Sequence, residues 1–408
     1  MAELKNTILG INISHDTSIA IVHNGELVDV FEEERCRRGK YWSPRSNEMT
    51  LLQSIEQKIN IDSIDEVVFA SFDRRQFDYS VPEDLPLDRL QTRDFKKDFT
   101  SEQISRERME EIATTWNLKK EHHPNIEDNM IADDIAMEQL SLNKGDYYFR
   151  YDHHVHHAWC GFNLAPMEDA LIIVMDGGGC RKLWDEYPTH QEIESIYYGT
   201  KGEGTNIEPL YQKLSNMRFI HDISDKFPNE LHGFLHCPDS KHINIEDVDY
   251  ELVSYPSMGM NFSNMSQALG TDELGRAAGK VMGMASYGSN DKHIYNRYNV
   301  GHTLELDSFE YTCELIQRAI DYKPDCKNII LSGGFSLNCT NNYKYLQRFP
   351  DYQIFVDPIP HDGGTAAGAA LQMYAEMIKG SKNVMPGEFY TKPSVWDEPV
   401  EEEKVHPK

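Results

Sequence analysis

The sequence predicts an α/β fold with two lobes, on three observations. Short β-rich runs at 8–13, 19–23 and 26–31 are separated by a small-polar stretch and by Asn24-Gly25, the dipeptide that favours a two-residue hairpin. Two later segments, 328–338 and 352–370, each pass from an apolar strand through a glycine turn into a helix rich in small residues. The 408 residues are enough for two hydrophobic cores, and 39% hydrophobic with 26% charged residues is ordinary globular composition.

Charge and composition narrow the function. A net charge of −27, from 40 Lys and Arg against 67 Asp and Glu, repels polyphosphates at long range and makes extended nucleic acid an unfavourable main partner. No apolar run approaches the roughly 20 residues of a membrane span, and the start lacks a charged-then-apolar leader, so a soluble, cytoplasmic protein is expected. Seven dispersed cysteines, odd in number and without a CxxC pair, read as free thiols rather than a disulfide framework or zinc ribbon.

In chain order, the three opening strands form an antiparallel meander. Its first loop, Ser14-His15-Asp16-Thr17-Ser18, is the kind of small-polar hairpin with which actin-like, sugar-kinase and heat-shock ATPase folds bring backbone amides up to a phosphate. A solvated loop histidine is the plainer reading of His15. The 32–40 stretch changes from acidic to basic and is either a solvated run or a phosphate-facing loop. Residues 47–59 have helical spacing and 66–71 read as a strand. Residues 74–145, with polar amphipathic helices at 102–116 and 131–142, form an expected helical insertion that covers the site. A hairpin is expected at 193–198 and 207–211, whereas 212–265 shows no strong motif. Residues 274–288 read as a helix with glycines that permit close approach, either core-packed or a nucleotide contact; they are not a P-loop, because no Ser or Thr follows Gly279-Lys280.

The densest chemical signal is His153-His154-Val155-His156-His157, just ahead of the apolar run 170–175 and Asp176-Gly177-Gly178-Gly179. On a helix, His153 and His157 share one face and can hold one metal ion, while His154 and His156 point elsewhere. The glycine turn at Ser332-Gly333-Gly334 forms an anion- or nucleotide-accepting corner. Asp362, at the last glycine turn, is either a third, oxygen ligand or a helix N-cap.

Taken together, the blocks at 13–20, Glu33-Glu34-Arg35, His153 to Ala158, Met175-Asp176-Gly177, Gly279 to Gly283, Ser332 to Asn338 and Asp362 to Thr365 resemble the O-carbamoyltransferase family of nodulation-factor, cephalosporin and tobramycin carbamoyltransferases. The resemblance runs from residue 8 to about 371 and covers the family's N-terminal domain. It implies a duplicated actin-like, sugar-kinase-like fold, divided here into a first lobe at 1–180, a second at 181–380 and a polar tail at 381–408. It also implies a metal-dependent carbamoyltransferase using carbamoyl-adenylate, made from carbamoyl phosphate and ATP. The implied metal is iron(II), on His153, His157 and Asp362. The implied catalytic groups are His15, as base toward the acceptor, and Asp272. Asp176, Gly177, Gly178, Lys280, Gly333, Gly334 and Asn338 are the implied nucleotide contacts.

The family's second domain, which makes the activated donor, has no counterpart in the short stretch after Lys379. The activated donor is therefore expected from a separate carbamoyl-adenylate-forming partner or from a further part of the same protein, alongside a small-molecule acceptor, and a homodimer is left open. The alternatives are a threonylcarbamoyl transferase acting on tRNA adenosine and a non-catalytic nucleotide-binding module.

Overall fold

The strands Thr7–Asn12 (β1), Ser18–His23 (β2) and Glu26–Glu32 (β3) form the expected meander. Asn24 and Gly25, at φ 51° and 83°, make its β2–β3 turn, and both left-handed positions match what a two-residue hairpin requires. β1 and β2 are almost wholly buried and β3 is half-exposed, which places β3 at the sheet edge. The computed structural model describes residues 7–12, 14, 16–37, 63–70, 148–150, 153–184, 187–202, 204–215, 240–245, 247–253, 255–271, 277–289 and 297–378. His15, Asp272, the 47–59 helix, the 74–145 insertion and the 381–408 tail lie outside them.

Two sheets repeat one plan. After the short helix Glu33–Arg37 (α1), the strands Glu66–Ala70 (β4) and Tyr148–Arg150 (β5) complete the first sheet in the order β3-β2-β1-β4-β5. β1 is antiparallel to β2, β2 to β3, and β1, β4 and β5 run parallel. The helix His153–Leu164 (α2) leads into Asp169–Met175 (β6), Arg181–Trp184 (β7), Tyr187–Gly202 (β8) and Gly204–Ser215 (β9). Lys241–Ile245 (β10), Val248–Val253 (β11) and the helices Met258–Ala268 (α3), Ala278–Ala285 (α4) and Arg297–Tyr322 (α5) follow. Asn328–Ser332 (β12), Cys339–Arg348 (α6), Gln353–Val356 (β13) and Thr365–Ile378 (α7) end the described chain. The path β9-β8-β6-β12-β13 has the same order and the same parallel and antiparallel pairings as the first sheet. The duplicated actin-like fold is therefore visible in the strand connections, with β11 and β10 added beyond β9.

The lobe boundaries differ from those drawn on the sequence. β6, counted with the first lobe, is the central strand of the second sheet, because it pairs with β8 on one side and β12 on the other. Helix α7, counted with the second lobe, returns to the first: Ala369, Ala370, Leu371 and Met373 pack with Ile8, Val22 and Val68. The small residues of α7 permit this, since a Cβ at Gly10 or Gly368 would strike Ala366 or the backbone of His156. The carboxyl ends of β6 and β12 and the turn before α7 thus converge at one seam.

Candidate metal centre

Helix α2 begins at His153, whose N–H donates to Cys180 Sγ at 3.4 Å, and its 12 residues are mostly buried. As the i, i+4 spacing predicts, His153 and His157 share a face, with their Nε2 atoms 3.2 Å apart. Strand β6 ends by delivering Asp176, whose Oδ2 lies 3.0 Å from His153 Nε2. The 3₁₀ turn Asp362–Gly364 delivers Asp362, with Oδ1 3.4 Å from His153 Nε2 and 3.7 Å from His157 Nε2. The four side chains are buried, and their ligand atoms lie within 4.8 Å of one another.

Backbone anchors hold each carboxylate. Asp176 Oδ1 accepts from Gly334 N–H at 3.0 Å, tying the end of β6 to the glycine turn after β12. That turn needs its first glycine: Gly333 has φ 86°, and a Cβ there would collide with Met175 backbone. The Asp362 carbonyl accepts from Asn12 Nδ2 at 3.0 Å and from Thr365 Oγ1 at 2.6 Å, which leaves the side chain to face the histidines. His361, not Asp362, caps the turn, its Nδ1 accepting from Gly363 N–H at 3.1 Å.

The donor set fits a divalent transition metal. Atoms about 2.1 Å from one ion stand about 3.0 Å apart at right angles and about 3.4 Å apart at the tetrahedral angle. The four distances above span 3.0 to 3.7 Å. Two imidazoles with two carboxylates suit iron, zinc or manganese better than a hard, oxygen-only ion. Electrostatics agree. Burial works to lower the His153 pKa, but the Asp362 charge and the bond to Asp176 outweigh it and hold the imidazole at about 10. Burial likewise works to raise Asp176, and His153 more than offsets it, leaving that carboxyl well below its usual range. A divalent cation and the His153 proton are alternative occupants of one charge position.

His154 and His156 point elsewhere, as expected. His154 Nδ1 lies 2.8 Å from Ser195 Oγ, and burial pushes its pKa down to about 4, so it is neutral. Ser14 and Asp16 are tied to the Asp362 turn through Asn12, whose Nδ2 donates to Ser14 Oγ, to the Asp16 carbonyl and to the Asp362 carbonyl, each at 3.0 Å.

Among the implied nucleotide contacts, Asp176 joins the metal cluster. The informative signal in the sequence was its place at the carboxyl end of a buried apolar strand, where ligands of α/β sheets gather. Gly177 and Gly178 follow it directly, the Gly177 carbonyl accepting from Ser257 Oγ at 2.8 Å. Gly333 and Gly334 line the neighbouring turn. Asn338 is spent inside the protein: its side chain caps α6 by accepting from Asn341 N–H at 3.3 Å and donates to Glu305 Oε2 at 2.9 Å. Lys280 is exposed on α4, with Nζ 3.4 Å from the Thr271 carbonyl.

Residues 7–319 and 309–371 match the family described as carbamoyltransferase N-terminus. The nodulation protein NolNO of Sinorhizobium fredii is 25% identical over 293 residues, 62% of this chain and 35% of that protein. An uncharacterised protein of Synechocystis, sll1178, is 22% identical over 388 residues, 92% of this chain and 58% of its own length. The chain therefore spans between about a third and three fifths of these relatives. Among solved structures, HypF of T. kodakarensis superposes with a TM-score of 0.46 at 12% identity, covering 92% of this chain and 48% of that one.

Proposed function

Because the chain belongs to the carbamoyltransferase N-terminal family, we propose that it moves a carbamoyl group from carbamoyl-adenylate to a hydroxyl or amine of a small acceptor. The observation that supports this most is the buried cluster of His153, His157, Asp176 and Asp362, which has the donors and spacing to hold one divalent metal, iron(II) in our reading. Such an ion, when bound, supplies Lewis-acid polarisation of the donor carbonyl.

The remaining work falls to the chain. Asp176 couples the cluster to the Gly333-Gly334 turn through the Gly334 N–H bond, so the turn that would receive the adenosine and phosphate is fixed relative to the carbonyl-binding position. The neutral His154 beneath the 177–180 loop adds no charge there. His15, in sequence between Ser14 and Asp16, which are tied to the Asp362 turn, is assigned as the base that takes the acceptor proton. Formation of carbamoyl-adenylate is assigned to another domain or chain.

One assay tests the reading. Preformed carbamoyl-adenylate with a panel of aminoglycosides, oligosaccharides and nucleosides should give a carbamoyl mass shift on one acceptor class, whereas carbamoyl phosphate with ATP should give none. Hydrolysis alone across all acceptors, with a reconstituted metal centre, would overturn the transferase assignment. Turnover from carbamoyl phosphate and ATP would overturn the division of labour.

A further inference from the structure

On the outer edge of the second sheet, away from the metal centre, a cleft of about 560 Å³ opens between the β10–β11 hairpin, β9 and the last turn of α5. Tyr211, Tyr250 and Tyr322 contribute rings to its lining, and Asp249, Asp321, Arg318 and His242 are its chargeable groups. Its volume lies within the usual range for small-molecule sites, about 300–1,000 Å³.

The floor is built and satisfied without a ligand. Tyr211 donates to Glu251 Oε2 at 2.6 Å, and Arg318 Nη1 donates to the same oxygen at 2.8 Å. The Arg318 guanidinium also lies over the Tyr211 ring, 4.5 Å from its centroid. Arg318 is thereby neutralised by Glu251 and stacked against the wall, which removes it as a free anion receptor.

The walls carry the opposite sign. Asp249 accepts from Asn244 Nδ2 at 2.7 Å and from Tyr322 Oη at 2.5 Å, and Asp321 accepts from Gln317 Nε2 at 2.9 Å. All three donors are neutral, so none of them forms an ion pair with these carboxylates; the bonds from Tyr322 and Asn244, with the nearby Arg318 and His242, hold the Asp249 pKa below its ordinary value. No lysine or arginine among the described residues lies at ion-pair distance from either. The cleft also sits at the carboxyl end of a 26-residue helix, the negative end of its dipole.

We infer that this cleft is a second ligand site, selective for a small organic cation such as an alkyl amine. The ammonium is received by Asp249, Asp321 and the α5 carboxyl terminus, and the stem lies against the tyrosine rings. The site is separate from the proposed transfer chemistry, since none of its lining residues belongs to the metal cluster.

Calorimetric titration of the full chain with putrescine, at about 0.15 M salt to suppress diffuse attraction, tests it. Saturable binding of about one equivalent is expected, with Kd about 0.1–1 mM, the range open to so small a ligand. Butane-1,4-diol, the uncharged analogue, should bind at least about tenfold more weakly. Asp321→Asn, at an exposed position, and Tyr322→Leu should each weaken putrescine by about tenfold, while His157→Ala leaves it unchanged. Three results would overturn the inference: no saturable binding up to about 10 mM, equal affinity for the diol, or many equivalents that survive both cleft substitutions, which would mark a generic response of an acidic surface.

Discussion

Two buried polar clusters in this molecule look alike in composition and differ in balance. In the second lobe, Glu194 and Glu251 meet Lys213 and Arg318: Lys213 Nζ donates to Tyr311 Oη at 2.8 Å, Tyr311 donates to Glu194 at 2.8 Å, and Glu251 receives Tyr211 and Arg318. Two cations face two carboxylates, so the group can close on itself. At the seam, Asp176 and Asp362 face His153 and the neighbouring His157, and among the described residues the Asp362 charge and the bond to Asp176 hold a proton on His153. Buried charge is tolerated when it is paired. The balanced cluster pairs its charges across β8, β9, β11 and α5, whereas at the seam two imidazoles and two carboxylates converge on one point. That difference, more than burial or residue type, is what supports reading the seam as the place for a ligand ion.

The largest effect should come from breaking the unbalanced cluster. His157→Ala and Asp362→Asn are expected to reduce metal content from about one ion per chain to a small fraction and to abolish transfer, a loss of at least about 10³-fold. Elemental analysis with single-turnover transfer checks both. The Asp362 backbone is held by Asn12 and Thr365, so its variant should stay folded. Metal content unchanged in both variants would break the contrast.

Removing one partner from the balanced cluster should show in stability instead. Lys213→Met leaves two buried carboxylates with Arg318 as their one remaining cation in the cluster, and the expected cost is about 3–5 kcal/mol in denaturant unfolding. Metal content per folded chain should not change. Adding Glu194→Gln restores neutrality and should recover most of the loss. A double variant no better than the single would show that packing, not charge balance, holds this cluster.

The sequence disclosed these regions unequally. The seam was legible because its parts are punctuated: an i, i+4 histidine pair, an apolar strand leading into Asp176, and glycine turns directly after Asp362 and after Ser332. Asp176 could be placed near the site but not among the converging side chains, since that requires knowing that β6 and β12 run parallel side by side. The balanced cluster was not legible. Its members come from β8, β9, β11 and α5, and nothing local in the sequence joins them. Helix α5 itself escaped notice because Gly301, Glu305, Ser308 and Thr312 interrupt its buried apolar face. Two of them are satisfied within the helix, Ser308 donating to the Glu305 carbonyl and Thr312 to that of Ser308. Strand β10 was missed for the opposite reason, being mostly exposed and polar. The apolar run 170–175 carries no mark in the sequence of which sheet it joins; in the fold it pairs with β8 and β12.

Acid titration should sharpen the comparison by a smaller amount. Burial works to raise Glu251, but Lys213 and the bonds from Tyr211 and Arg318 outweigh it, so its pKa in the fold lies below 4.5. Its stabilising contribution is complete above pH 4.5 and fades as the pH falls through the folded value. Glu194 is the reverse: burial raises it, so the folded protein holds its proton more tightly, and stability falls as the pH rises from 4.5 through the folded value. Glu251→Gln should therefore flatten the acid side of the stability curve, and Glu194→Gln should remove the decline above pH 4.5. Thermal unfolding between about pH 3 and 7 reads both; identical curves for the two variants would show that the cluster titrates as a single pair.

The smallest expected effect separates the metal centre from the helix that resembles a nucleotide contact. Gly279 lies in the first turn of α4, and a Cβ built there meets nothing within 4 Å among the described residues, as at Gly283. The expectation that these glycines serve tight core packing fails on that point, since close approach would fill the space. Gly279→Ala should then gain about 0.5–1 kcal/mol from helix propensity alone. Lys280→Met should leave stability nearly unchanged, because Lys280 is exposed and its contact with the Thr271 carbonyl is long, at 3.4 Å. If the face is open because the donor's nucleotide rests on it, both substitutions raise KM for carbamoyl-adenylate while metal content stays at its wild-type value. If KM is unchanged in both, α4 is a scaffold helix, and the nucleotide is held by the Gly177-Gly178 and Gly333-Gly334 turns beside the cluster. Measuring KM and metal content on the same preparations decides between them, because a disturbance spreading from the seam would move both together.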